Sequence, residues 1–157
     1  MEMKQYLSAT FDFNDKTNRR LLSKISLLPD QKECIRLYSH LINCQYKWLA
    51  RVAQDPNAVR MNWWEPVYQF DQLELQWNKS LLAWLGYLAS KTEEQLATEI
   101  TFLAQDGSRW AATPQDIALQ LNYHSIHHRA QIQMLIRQQG IDPDFVDYIG
   151  TKYRKLS

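Results

Sequence analysis

Apolar residues recur at three- and four-residue steps through four long segments of this chain. The breakers fall between those segments rather than inside them. This pattern constrains the fold more than any other feature of the sequence, because it predicts long helices that each bury one face. The first segment runs from Lys4 to Leu27 and stops before Pro29, with Leu7, Phe11, Leu21, Leu22, Ile25 and Leu28 in a loose stripe. Its middle, Asn14 to Asn18, is polar and interrupts the stripe. The second segment runs from Asp30 to Val52, with Cys34, Leu37, Leu41, Cys44, Trp48 and Val52 in one row. The third covers Tyr68 to Ser90, where Phe70, Leu73, Trp77, Leu81, Trp84 and Leu88 form the stripe. Gly86 inside it is expected to mark a close helix contact. The fourth starts cleanly: Thr113 as N-cap, Pro114 at the first helical position and Asp116 completing a capping pattern. It runs to Gln139, and Gly140 suits the position just past its end.

Between the third and fourth helices the period changes. Thr98 to Leu103 is β-prone, Asp106-Gly107 offers a tight turn, and Ser108-Arg109-Trp110 follows. We expect a small hairpin or extended connector there, and a short last helix holding Phe145, Val146, Tyr148 and Ile149. The prediction is an all-α four-helix bundle forming a single domain over residues 1–157. The short first link makes the first two helices antiparallel neighbours.

Charge and composition remove several function classes. A net charge of +1 leaves no field favouring nucleic acid, and no basic run exceeds Arg19-Arg20 or Lys152 to Lys155. No stretch is apolar enough to span a bilayer, and the first residues lack a signal peptide's apolar core, so the cytoplasm is the expected compartment. Cys34 and Cys44 lie ten residues apart on one helix, roughly 15 Å, too far for a mutual disulfide.

Three of the 4 histidines fall between His124 and His128. At 100° per residue, His124 and His128 lie within roughly 20° of the centre of the fourth helix's stripe, with Ile117, Leu121 and Leu135. Both should point into the bundle, and an (i, i+4) pair can share a metal ion. His127 falls outside that row. His40 sits roughly 80° from the centre of the second helix's stripe, at its flank. Three neutral imidazoles would leave a divalent cation its full charge and open positions, as in catalytic sites. A buried histidine bonded to a carbonyl or hydroxyl is the competing reading. No Glu follows the first histidine, which removes a zincin helix. Cys44, one turn after His40, reads as a fourth ligand, a reactive thiol or a small core hydrophobe. Glu33, two turns before His40, and Gln131, one turn after His128, are candidate second acceptors for the imidazoles. Trp63 and Trp64 either line a pocket mouth or cap the core.

Asn122-Tyr123-His124-Ser125-Ile126-His127-His128-Arg129-Ala130-Gln131-Ile132 resembles the signature of the DinB-like (DinB/YfiT) metalloenzyme superfamily, with Ala130 where that family usually has glycine. Leu37 to Asn43 followed by Trp48 resembles the family's earlier histidine motif. Asp106-Gly107 and the run from Gly140 through Pro143, Asp144, Phe145 and Tyr148 fit its layout. The resemblance implies an up-down-down-up four-helix bundle in which His40, His124 and His128 hold a divalent metal, commonly nickel or zinc. It also implies homodimers and small-molecule substrates, including low-molecular-weight thiols handled by transferases. The expectation is a metal-dependent transferase or hydrolase that activates a thiol or water. A non-catalytic metal- or small-ligand-binding bundle is the alternative.

Overall fold

The computed structural model describes residues 2–144 and 146–156, and it is mostly helical. The four long helices are α1 (Met3–Ile25), α2 (Lys32–Val52), α3 (Phe70–Ser90) and, after a short α4 (Glu93–Ala97), α5 (Pro114–Gln138), which is the fourth helix of the sequence. Strands β1 (Ile100–Leu103) and β2 (Arg109–Ala112) pair antiparallel with Ile100 opposite Ala112 and Leu103 opposite Arg109. Gly107 takes a φ of 82° in the turn between them, a conformation that glycine adopts without steric cost.

Helix ends follow the sequence chemistry. Thr113 accepts from the Asp116 backbone N–H at 3.1 Å. At the other end of α5, Gly140 has a φ of 82°. Its N–H donates to the Arg137 carbonyl at 3.0 Å, and the Ile141 N–H donates to Ile136 at 3.3 Å. Together these make a Schellman closure. Gly86 is different: it is exposed, and a methyl group there would meet nothing within 4 Å. It marks no helix contact. Two short elements carry too little periodicity to be read from sequence, α4 and the 3-10 turn Pro56–Arg60. The expected last helix is a 3-10 turn, Tyr148–Thr151, with Val146 just before it; Phe145 lies outside the described residues.

The helices do not pack in chain order. α1 packs on α5 and α3, and α2 packs on α3 and α5. The expected side-by-side contact of α1 and α2 is therefore corrected. Residues 26–31 can span roughly 20 Å when extended, enough to carry the chain past a nearest neighbour. Cross-links give the directions. Lys4 Nζ donates to the Ala89 carbonyl, Phe11 stacks on Trp84, and Trp77 Nε1 donates to Asp15, so α1 and α3 run oppositely. Asn122 reaches Thr10 and Asn18 reaches Ser125, so α1 and α5 run in the same sense. Tyr68 N–H donates to Ser39 and Ser80 to Gln45, so α2 and α3 also run in the same sense. Residues 53–69 carry the chain back along the molecule between those two helices.

The apolar core is two clusters rather than one. One gathers Ile25, Leu37, Ile42, Leu73, Trp77, Ile132 and Ile136. The other gathers Leu7, Phe11, Trp84, Leu88, Leu96, Ile117 and Leu121. Across α1 and α5 a polar layer separates them. There Arg129 is buried, and its Nη1 donates to Asn14 Oδ1 at 3.0 Å, Thr17 Oγ1 at 2.7 Å and Asn18 Oδ1 at 3.2 Å. The polar middle of the first helix is thus continuous helix that supplies acceptors to a buried cation. Desolvation lowers the Arg129 pKa to about 10. Replacing Arg129 by Met should cost about 3 kcal/mol, because three acceptors lose their donor in a buried site. A urea midpoint that does not move would refute this account.

Candidate metal centre

On the opposite side of α5 from Arg129, the histidines meet α2. His40 and Cys44 stand one turn apart on α2, and both are buried. His124 and His128 stand one turn apart on α5, His128 buried and His124 half-buried. His40 Nε2 lies 2.9 Å from His124 Nε2. Cys44 Sγ lies 3.5 Å from His40 Nε2 and 3.7 Å from His124 Nε2. The His128 ring centroid is 4.7 Å from that of His40 and 4.4 Å from that of His124.

Hydrogen bonds at the far side of two rings assign their tautomers. His40 Nδ1 lies 2.7 Å from the Trp63 carbonyl oxygen. A carbonyl only accepts, so Nδ1 carries the proton and Nε2 of the neutral ring is a bare lone pair. His128 Nδ1 lies 2.6 Å from Gln131 Oε1, and Gln131 Nε2 lies 3.3 Å from His127 Nε2. With the amide placed this way, its oxygen accepts from His128 and its nitrogen donates to His127. His128 Nε2 is then also unprotonated. Burial lowers the pKa of all three rings; at His124, burial and the neighbouring imidazoles His128, His40 and His127 take it to about 4.

This donor chemistry fits a divalent cation. His40, Cys44 and His124 place one ligand atom each within 4.8 Å of one another, a group that could hold a metal ion. His128 stands beside this group rather than in it. Neutral imidazoles are the form that ligates, and their neighbours fix ring orientation as outer partners of metal-bound histidines do. Cys44 belongs to the second apolar cluster as well as touching both rings. Burial pushes its thiol up to about 12, so it is a neutral thiol unless a cation binds beside it.

The other expected residues distribute as follows. Glu33 does not reach His40; it forms an ion pair with Arg36 at 2.6 Å, because a guanidinium three residues away on the same face competes better for a half-exposed carboxylate. The place assigned to Glu33 is taken by the Trp63 backbone carbonyl. Trp64 stacks on His40 with centroids 3.7 Å apart and planes 11° apart, and the Arg36 guanidinium lies 4.4 Å from the Trp64 centroid. Trp64, Glu33, Arg36, His128, Gln131 and Met134 line a cavity of about 440 Å3, so that His128 is the histidine it reaches. His127 is exposed. The Trp63 carbonyl and Arg36 escaped the sequence reading: a backbone acceptor has no residue signature, and Arg36 shows only as a surface charge.

The site thus defines a helical protein with a candidate metal centre between two of its long helices. The family model for the DinB family matches residues 6–155, nearly the whole chain, and the protein belongs to that family. Among curated proteins none matches this chain.

A His124 pKa lowered from 6.5 to about 4 makes the metal-free protein's stability depend on pH. The unfolded chain binds the extra proton between those values, so stability is fully present above about pH 6.5 and falls as pH drops toward 4. The stability difference between wild type and His124→Phe, followed by denaturant midpoints, should change over this window. A difference that is flat across it would contradict the assignment.

Proposed function

We propose that this protein is a metal-dependent enzyme whose divalent cation, nickel or zinc, is held by His40, His124 and His128. The fold in this reading is an up-down-down-up four-helix bundle, supported by the pairing of α1 with α5 and of α2 with α3 in matching directions. The observation that carries the function is the convergence of buried neutral imidazoles, two of them with assigned Nε2 lone pairs, beside an open cavity. A bound divalent cation would lower the pKa of a thiol or water in that cavity and yield a nucleophile at neutral pH.

The chain's own residues prepare that chemistry. The Trp63 carbonyl and Gln131 hold two imidazoles in the ligating tautomer. Trp64 covers one face of His40 and keeps water from it. Arg36 and Glu33, paired with each other at the rim, give the cavity a polar edge without net charge. This suits a thiol transferase or a hydrolase acting on a small molecule, a low-molecular-weight thiol in the first case. With a net charge of +1 and no helix long and apolar enough to cross a membrane among the described residues, we assign it no nucleic-acid or membrane partner and place it in the cytoplasm. Exposed Tyr123 and Ile126 on α5 support a homodimer.

Cys44 favours a second reading. A thiolate there would close the coordination shell and give a structural, non-catalytic site. Elemental analysis should find one metal per chain, with His40→Ala weakening affinity more than about a hundredfold, beyond the loss of an outer hydrogen bond. Stoichiometric metal retained by that variant would sink the proposal. Cobalt(II) substitution separates the two readings. A near-ultraviolet thiolate band lost in Cys44→Ser, with chelation lowering Tm and no reaction inhibited, would establish the closed site; absence of the band supports the open one.

A further inference from the structure

A second feature of α2 lies eleven residues beyond His40, roughly 16 Å along the helix. Arg51 is only 7% exposed, and its guanidinium sits 4.6 Å from the Trp48 ring centroid, 5.0 Å from Trp63 and 4.6 Å from Phe102. Its one hydrogen bond, from Nη2 to the Leu103 carbonyl, is 3.5 Å long, at the outer limit for such a bond. Its Nε is buried without any acceptor. Among the described residues it makes no ion pair. Lys47, one turn earlier, is 1% exposed, bonds the Met61 carbonyl and lies 4.4 Å from the Trp63 centroid, again with no ion pair among the described residues. Two buried cations on one helix therefore lack a protein counter-charge. Aromatic faces offset part of this, but an unpaired buried cation remains costly.

Arg51 faces a cavity of about 360 Å3 that it lines with Arg109, Gln54, Asp55, Ala58 and Phe102. Asp55 Oδ1 accepts from the Asn57 backbone N–H at 2.8 Å and from Asn57 Nδ2 at 3.0 Å, capping the 3-10 turn, and its charge offsets one of the two arginines of the lining, which keeps a net positive charge. Gln54 adopts a φ of 58° and donates from Nε2 to the carbonyls of Arg51 and Thr101, which ties the end of α2 to β1 and holds the cavity's wall. The cavity thus combines a preorganised guanidinium, a second arginine at the rim, and apolar surface from Ala58 and Phe102.

We infer that this cavity is a binding site for a small-molecule oxyanion, a carboxylate or a phosphate monoester, held by Arg51 and Arg109. A guanidinium fork matches either group with two parallel hydrogen bonds. The Nε is closed off from the cavity, so such a ligand would be met by the Nη groups, whose one bond is long. The site is separate from the histidines, so it stands or falls independently of the metal, and its test needs none.

The test is an NMR titration of the 15N-labelled protein with succinate and with inorganic phosphate, against sodium chloride at matched ionic strength. The Arg51 Nε–Hε resonance should shift saturably with one of the two anions, which identifies the ligand's head group. Indole fluorescence from Trp48 and Trp63 should follow the same curve. Arg109→Gln, at an exposed strand end, should weaken binding about tenfold, the loss of one charge-assisted contact, and Arg51→Gln should abolish it. If Arg51→Gln does not fold, the wild-type resonance and Arg109→Gln decide. A shift reproduced by chloride, a titration that saturates with neither anion, or wild-type affinity in Arg109→Gln would overturn the inference.

Discussion

The buried Arg129 guanidinium determines the rotation of α5, and the candidate site depends on that rotation. A cation in the core must find acceptors, and here all three come from α1: Asn14, Thr17 and Asn18. Asn122 and Ser125 add further bonds to the same helix. Successive residues on a helix are about 100° apart, so fixing Arg129 toward α1 turns His128 away from it, toward α2. The acceptors are neutral, so they satisfy the guanidinium without a second charge whose own desolvation would have to be met. One polar contact between two helices thereby aims the imidazoles toward α2.

That polar layer also explains which parts of the fold were legible. The stripe of α3 read cleanly because its inward residues from Leu73 to Leu88 are apolar apart from Ser80, and that of α2 was carried by Leu37, Leu41, Cys44 and Val52, although polar residues such as Lys47 and Arg51 are buried beside them. The ends of α5 read cleanly because Thr113, Pro114 and Gly140 have local roles. The middle of α1 read poorly because its buried residues are Asn14, Thr17 and Asn18, whose partner lies more than a hundred positions along the chain. Neighbour relations were not legible either. A short link suggests adjacency, yet α1 and α2 each pack on α3 and α5. Link length limits reach, whereas packing decides the neighbour.

At the site, the helical period brought His124 and His128 to one face, and the chain contains only one histidine besides the cluster. His40 looked marginal because the sequence shows one buried stripe on α2, while the structure buries a second side of that helix under residues 61–68. Asn43 donates to the Pro66 carbonyl and Ser39 accepts from the Tyr68 N–H, so the crossover lies flat on α2 and carries Trp63 and Trp64 over His40. Such a covering segment has no period of its own. Cys44 was legible only as a set of alternatives, since core packing and ligand placement put the same thiol in the same position.

The acceptor for His40 is a main-chain carbonyl, and this affects how the protein can change over generations. A side-chain acceptor can be deleted by one codon change, whereas the Trp63 carbonyl persists whatever residue stands there. The ring's proton stays on Nδ1 as long as the crossover keeps its path. That bond places no demand on the side chains of the crossover, and only residues with contacts of their own, Trp63 and Trp64, are tied to the helix beneath. The segment is therefore a place where the mouth of the cavity can be rebuilt while the imidazole behind it keeps its orientation.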